Sequence, residues 1–273
     1  MALCAEYGIT YGVSSPMSLN NDLTAPTTGE KLIDPKPYQR LIGSLSYIAH
    51  STRPDILYAV TYLARRNSQA TSRHWEAALR IVRFLFSTAH NGLKLSATSP
   101  SSGLTIWVDA SYGGDEDGCC QMGMLTCIGN AAVGWTSQRQ KVVAVSSTEA
   151  EYIALSAGAQ HAAWMKEFLA ELGEVTTPVI IADNDGARKL SENPGFHKKT
   201  KHIHQQYHYI RQQLELGLLT IEWTAGKYNK ADLLTKALPA PTLTRAASAV
   251  MDGQALRPLR DMTPDEHLSK GEC

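Results

Sequence analysis

The stretch "VSSTEAEYIALSAG", residues 145–158, decides how this chain folds. Ser146 has the chemistry of a helix N-cap, and Glu149 stands three residues on, the spacing of a capping box. Glu151 follows two residues later. On a helix, residues two apart point about 200° away from each other, so the two glutamates cannot serve the same site. Glu149 has a structural role available at the cap. Glu151 shares its side with Ala154, Leu155 and Gly158, the side that must face a packing partner. The helix is predicted to run through Trp164, Phe168 and Leu169 to Gly173.

Before this helix the hydrophobic period is that of strands. "LTIWVDASY", "QMGMLTCIG" and "AAVGWTSQRQ" read as three consecutive strands joined by Gly/Asn turns, an antiparallel meander. After it come a buried strand, "PVIIAD", a short helix from about Asn184 and a basic helical stretch, "KTKHIHQQYHYIRQQLELG". One more strand, "LLTIEWTA", and a closing helix, "NKADLLTKAL", complete the set. In order this is βββ–α–β–α–α–β–α, an α/β arrangement with a mixed five-stranded sheet and helices on both faces.

Residues 1–35, with "SSPMSLNNDLTAPTTGE", show no period and read as an irregular lead-in. Over 36–95 the pattern is helical. Tyr38, Leu41, Ile42, Leu45 and Ile48 share one stripe. Pro54 suits the first turn of a second helix carrying Ile56, Val60 and Leu63. Trp75, Leu79, Val82 and Phe86 mark a third, with Gly92 at its C-terminus. The Ser/Pro-rich "SATSPSSG" separates this small helical subdomain from an α/β domain over 101–240. The Pro/Ala/Thr-rich remainder, 241–273, reads as a flexible tail with room for one short helix.

Composition narrows the function classes. A hydrophobic fraction of 43% with 19% charged residues is that of a globular chain, and no apolar run reaches the length of a membrane span. "MALCAEYGIT" lacks the basic and apolar segments of a signal peptide, so the expectation is an intracellular protein that is not secreted. Five cysteines, odd in number and without a CxxC pair, argue for reduced thiols. The net charge is zero, yet the charges are segregated. Basic residues crowd 34–94 and 188–236 on either side of a more acidic middle, a layout suited to a phosphate track leading to carboxylates. Within "HKKTKHIHQQYHYIR", Lys198, Lys199, Lys201, His202 and Arg211 are candidate phosphate contacts. His204 and His208 have metal-ligand spacing, but no third ligand accompanies them, so zinc is not assigned. Trp107, Trp135 and Trp223 lie on expected strands and read as core rather than as base-stacking platforms.

Four acids fall at element ends or on the sheet side of the long helix: Asp109 after "LTIWV", Glu151, Asp183 after "VIIA", and Asp232 at the start of the last helix. Singly, each is an ordinary turn or cap acid. Strand ends and the start of a covering helix converge at one sheet edge, however, and four carboxylates meeting there repel unless cations are present. Hard Mg²⁺ takes oxygen ligands, and two such ions about 4 Å apart suit phosphodiester cleavage.

From about Tyr38 to Pro239 the chain resembles the C-terminal part of a copia-type retrotransposon polyprotein, the end of reverse transcriptase followed by ribonuclease H. The motifs that carry this are "YQRLIGSLSYIAHSTRPDILYAV", "HWEAALRIVRFL", "WVDASYGGD", "SSTEAEYIALSAGAQHAAWMKEFLAELG", "ADNDGARKLSENPGFHKKTKHI", "YHYIR" and "KADLLTKALP". The resemblance implies a ribonuclease H-like fold preceded by a thumb- or connection-like helical end of reverse transcriptase. It implies that Asp109, Glu151, Asp183 and Asp232 are both catalytic and metal-binding, that the cofactor is a pair of Mg²⁺ ions with Mn²⁺ as substitute, and that the RNA strand of an RNA/DNA hybrid is cut internally. Other parts of the polyprotein are implied partners.

The chain departs from the family pattern at "GCCQMGM", residues 118–124, where a basic, Ser/Thr-rich run leading to Gly-Tyr is usual. It also has His204 where Asp is usual and Ala182 where Cys is usual. No Tyr-x-Asp-Asp motif occurs, so polymerase chemistry is not expected. Two readings stay open: a metal-dependent ribonuclease, and a catalytically silent retrotransposon remnant that binds nucleic acid or only folds.

Overall fold

The computed structural model describes residues 2–19, 23–95, 103–113, 118–185 and 204–251. A five-stranded sheet organises the chain: β1 (Leu104–Ser111), β2 (Gln121–Ile128), β3 (Ala131–Arg139), β4 (Val179–Ala182) and β5 (Thr220–Trp223), in the order β3-β2-β1-β4-β5. β1, β2 and β3 form the antiparallel meander, and β4 and β5 add in parallel beside β1. This is the expected ribonuclease H-like arrangement. β1 lies in the middle and is covered on both faces, so its burial does not alternate, and Ile106, Trp107 and Val108 are apolar and buried in succession.

Helix α5 (Ser147–Glu171) covers one face. Its Ala150, Ile153, Ala154, Leu155 and Ala159 pack on Leu104, Ile106, Val108 and Ile180, joined by Ile210 from α6 (His204–Glu215). The approach is close because Gly158 has no side chain. A Cβ there would stand 2.7 Å from Val108 Cγ1. Gly173, at φ +87°, follows the end of α5, where glycine bears the left-handed turn without strain.

The other face meets the helical segment. Here α2 (Pro35–Ser51), a 3-10 turn at Pro54–Ile56, α3 (Leu57–Ala64) and α4 (Ser72–Ser87) bury Tyr38, Leu41, Leu45, Leu57, Val60 and Ile81 in one cluster with Trp107, Leu125 and Ile181 of the sheet. Asp34 caps α2 by accepting from the Lys36 N–H at 3.1 Å. Polar ties reinforce the junction. Trp135 Nε1 donates to the Ala49 carbonyl (2.9 Å). Arg65 Nη2 donates to Gln121 Oε1 (2.5 Å), Gln121 Nε2 to Ser137 Oγ (2.7 Å), and Ser137 Oγ to the Leu234 carbonyl (2.6 Å). Trp135→Phe leaves the Ala49 carbonyl without that donor, and the folded state is expected to lose about 1 kcal/mol in urea melts. An unchanged midpoint would show that this tie is not stabilising.

The room left for one short helix in the 241–273 tail is taken by α7 (Ala240–Met251), whose Leu243, Ala246 and Val250 form an apolar stripe that packs on the same cluster. Three expectations are corrected. The closing helix "NKADLLTKAL" is a 3-10 stretch, Lys230–Leu234, preceded by a 3-10 turn at Gly226–Tyr228. The 1–35 lead-in contains α1 (Ala2–Glu6) and buries Cys4, Met17 and Leu23. The third helix of 36–95 ends at Ser87, well before Gly92, because Thr88 already satisfies the Phe84 carbonyl. The short helix expected from about Asn184 falls almost wholly outside the described residues. Among the described residues, no helix is long and apolar enough to cross a membrane, and no disulfide joins Cys4, Cys119, Cys120 or Cys127.

Candidate metal centre

Parallel pairing sets the first two acids side by side. The register Trp107↔Ile181, continued two residues, brings Asp109 on β1 next to Asp183, just beyond β4. The 3-10 stretch Lys230–Leu234 then lays Asp232 against the same edge. One carboxylate oxygen from each of Asp109, Asp183 and Asp232 lies within 4.8 Å of the others. Glu151, in the second turn of α5, reaches the cluster from the covering helix. It is buried, the Ala110 backbone N–H bonds its carboxylate, and its Oε2 has no hydrogen-bond partner. Asp109, Asp183 and Asp232 thus converge, and Glu151 lies close enough for its carboxyl to feel the charges of Asp109 and Asp183.

Glu149 is held elsewhere. Its N–H donates to Ser146 Oγ (3.2 Å), and its Oε2 accepts from the Val145 N–H (2.9 Å), one residue before the N-cap position a capping box uses. The two glutamates thus meet different neighbours, as the helix geometry requires.

The acids are braced by neighbours that sequence reasoning missed. Thr235 Oγ1 donates to Asp109 Oδ2. Lys236 Nζ lies 2.8 Å from Asp232 Oδ1 and 4.0 Å from Asp109 Oδ2. Buried Asn229 donates to the Val108 carbonyl (2.9 Å) and accepts from the Ala231 N–H (3.0 Å), tying the end of β1 to the start of the segment that bears Asp232. The signal for them was present: Asn229 is an N-cap residue three before Asp232, and Thr235 and Lys236 stand one helical turn after it. Trp223, expected in the core, is 46% exposed on edge strand β5, and its Nε1 donates to the Asp183 carbonyl (2.9 Å). Trp107 is buried as expected. Of the phosphate candidates, Lys198, Lys199, Lys201 and His202 lie outside the described residues, and Arg211 is partly buried on α6.

Burial and mutual repulsion push the acids up. Desolvation, then the charges of Asp109 and Asp183, raise Glu151 to about 9. Desolvation and Asp109 raise Asp232 to about 6, against the pull of Lys236. Asp183 is raised for the same two reasons. Lys236 is lowered by burial, but Asp109 and Asp232 outweigh this and hold it above its ordinary value. A carboxyl raised in the folded state keeps its proton longer than in the unfolded chain, so the stability it contributes is lost as pH rises through the folded value. The metal-free protein is therefore expected to melt at progressively lower temperature from about pH 5 to about pH 9 in EDTA, and Mn²⁺ is expected to flatten the profile. A profile flat in EDTA would show Glu151 ionised throughout. The donor set, all carboxylate oxygen with one buried oxygen left unpartnered, fits a hard divalent cation.

No family model matches the chain. It is 38% identical over 241 residues to the retrovirus-related Pol polyprotein from transposon RE1 of Arabidopsis thaliana, covering 87% of this chain and 16% of the relative. It is 36% identical over 234 residues to the corresponding polyprotein from transposon TNT 1-94 of Nicotiana tabacum, covering 83% of this chain and 18% of the relative. The chain thus spans less than a fifth of the length of these curated relatives. Among solved structures it is similar to LC11-RNase H1, isolated from compost by a metagenomic approach, with a TM-score of 0.40 and 15% identity over 53% of this chain and 98% of the other. It is also similar to a foamy viral protease-reverse transcriptase, with a TM-score of 0.41 and 17% identity over 75% of this chain and 40% of the other.

Proposed function

The chain belongs to the retrovirus-related Pol polyproteins of copia-like transposons, and from that membership and its carboxylate cluster we propose that it is a metal-dependent ribonuclease H, hydrolysing the RNA strand of an RNA/DNA hybrid endonucleolytically. The observation that carries the reading is the meeting of Asp109, Asp183 and Asp232 within 4.8 Å, with a buried, unpartnered Glu151 oxygen beside them. So costly an arrangement of acids needs a compensating charge.

Asp109, Glu151, Asp183 and Asp232 would hold two Mg²⁺ ions, with Mn²⁺ as substitute. When bound, such ions polarise the scissile phosphate and activate water for in-line attack. The chain's own residues supply position. Thr235 fixes the Asp109 carboxylate, and Asn229 fixes the backbone between Asp109 and Asp232. The rigid β1–β4 pair sets the spacing of Asp109 and Asp183. Lys198, Lys199, Lys201, His202 and Arg211 are proposed, from their charge, to follow the hybrid backbone without reading its sequence.

The departure at 118–124 does not remove a member of the cluster. Gly123 pairs with Asp109 across β1 and β2 and has a packing role of its own. Purified chain incubated with end-labelled hybrid is expected to yield internal RNA cuts with Mg²⁺ and none with EDTA. Hybrid retained but uncut in both conditions would support the silent remnant instead.

A further inference from the structure

Lys236 holds a position among the acids that a cation would otherwise take. Its ammonium is 2.8 Å from one Asp232 oxygen and 4.0 Å from an Asp109 oxygen, so a single positive charge bridges two of the proposed metal ligands. Its placement is built in by the fold. Thr235, the preceding residue, is locked to Asp109, and Lys236 itself borders a tight crevice with Met17, Tyr58 and Leu238, contributed by the lead-in, the helical segment and the stretch after Asp232. The side chain is nonetheless 44% exposed, so its head can swing into water without breaking the core.

We propose that Lys236 is a resident counter-ion of the acid cluster that divalent cations must displace, setting the metal concentration at which the centre fills. The inference rests on the ribonuclease reading for the identity of the ligands. Two cations cannot share the Asp232 oxygen without strong repulsion, so the lysine and the metal compete, and whatever stabilises the metal-free cluster opposes metal entry by the same factor.

The test uses the full chain without nucleic acid. Mn²⁺ affinity is read by the electron paramagnetic resonance signal of free Mn²⁺, and stability by melting in EDTA, for the parent, Lys236→Met, Lys236→Arg and Asp109→Asn. Lys236→Met keeps most of the aliphatic stem and removes the charge. It is expected to bind Mn²⁺ about tenfold more tightly than the parent and to melt a few degrees lower in EDTA. Lys236→Arg keeps the charge and is expected to stay near the parent in both readings. Unchanged or weaker Mn²⁺ binding by Lys236→Met, with parent binding intact and lost in Asp109→Asn, overturns the counter-ion role alone. In a separate cleavage assay, a raised KM for hybrid accompanying the same unchanged affinity would assign Lys236 to substrate phosphate, which also overturns it. Absence of Mn²⁺ binding in parent and Lys236→Met alike overturns this inference together with the metal reading beneath it.

Discussion

Asp109→Asn is expected to lower hybrid cleavage by about three orders of magnitude or more while the fold persists. Asp109 sits at the centre of the arrangement. It neighbours Asp183 across the parallel pair, receives the Thr235 hydroxyl, faces Lys236, and its charge contributes to raising Glu151, Asp183 and Asp232. Asparagine keeps the size and can still accept from Thr235, but it removes a charged ligand. A loss of about 4 kcal/mol of transition-state stabilisation corresponds to a rate loss of about 10³. Stability should move the other way. Taking one negative charge out of a self-repelling group relieves the metal-free state, so the variant should melt no lower than the parent in EDTA and should lose the stabilisation that Mn²⁺ gives. Near-parent cleavage by this variant would remove Asp109 from the catalytic set. Lost cleavage with a collapsed melting temperature would mark it as structural.

Gly123→Ala should damage the same centre without altering any acid. A Cβ at Gly123 would stand 2.7 Å from Leu234 Cβ, 2.9 Å from Thr235 Cγ2 and 3.1 Å from the Ala231 carbonyl oxygen. These are not the flexible ends of long side chains. Two lie on or beside the backbone of the 3-10 stretch, so that stretch must move, and it carries Asp232 with Thr235 just behind it. Overpacking of this kind costs about 1–3 kcal/mol, and a displacement of about 1 Å in a ligand position can cost about 10² in rate. Melting, Mn²⁺ titration and cleavage together check this. Preserved Mn²⁺ affinity and rate would mean that the strand–turn contact does not position Asp232. Gly123 falls within "GCCQMGM", so the stretch that departs most from the family pattern contains a residue the centre depends on for its shape.

The elements of the sheet and α5 were legible because each announces itself locally: alternation for β2 and β3, an apolar run bounded by turns for β4, and a cap followed by a helical stripe for α5. The last segment misled because "KADLLTKAL" has helical spacing, whereas its burial against β1 and β2 holds only a short 3-10 turn. α7 was underrated for the opposite reason. Its Ala-rich stripe is weakly hydrophobic by itself and becomes a core face only when the helical segment and the sheet supply partners. Trp223 was misjudged because an aromatic on a strand does not reveal whether the strand is central or at the edge, and β5 lies at the edge.

For the centre itself, the sequence alone marked four acids as candidates and set two neighbouring glutamates on different faces of one helix, since helix periodicity operates within a few residues. Tertiary structure decided everything that depends on distance along the chain. Thr235 and Asp109 are 126 residues apart yet share a hydrogen bond, and the ammonium of Lys236 and the bare face of Gly123 acquire meaning only against elements folded onto them. Electrostatics and packing act through space at a few ångströms, and no local pattern encodes which distant groups will arrive there.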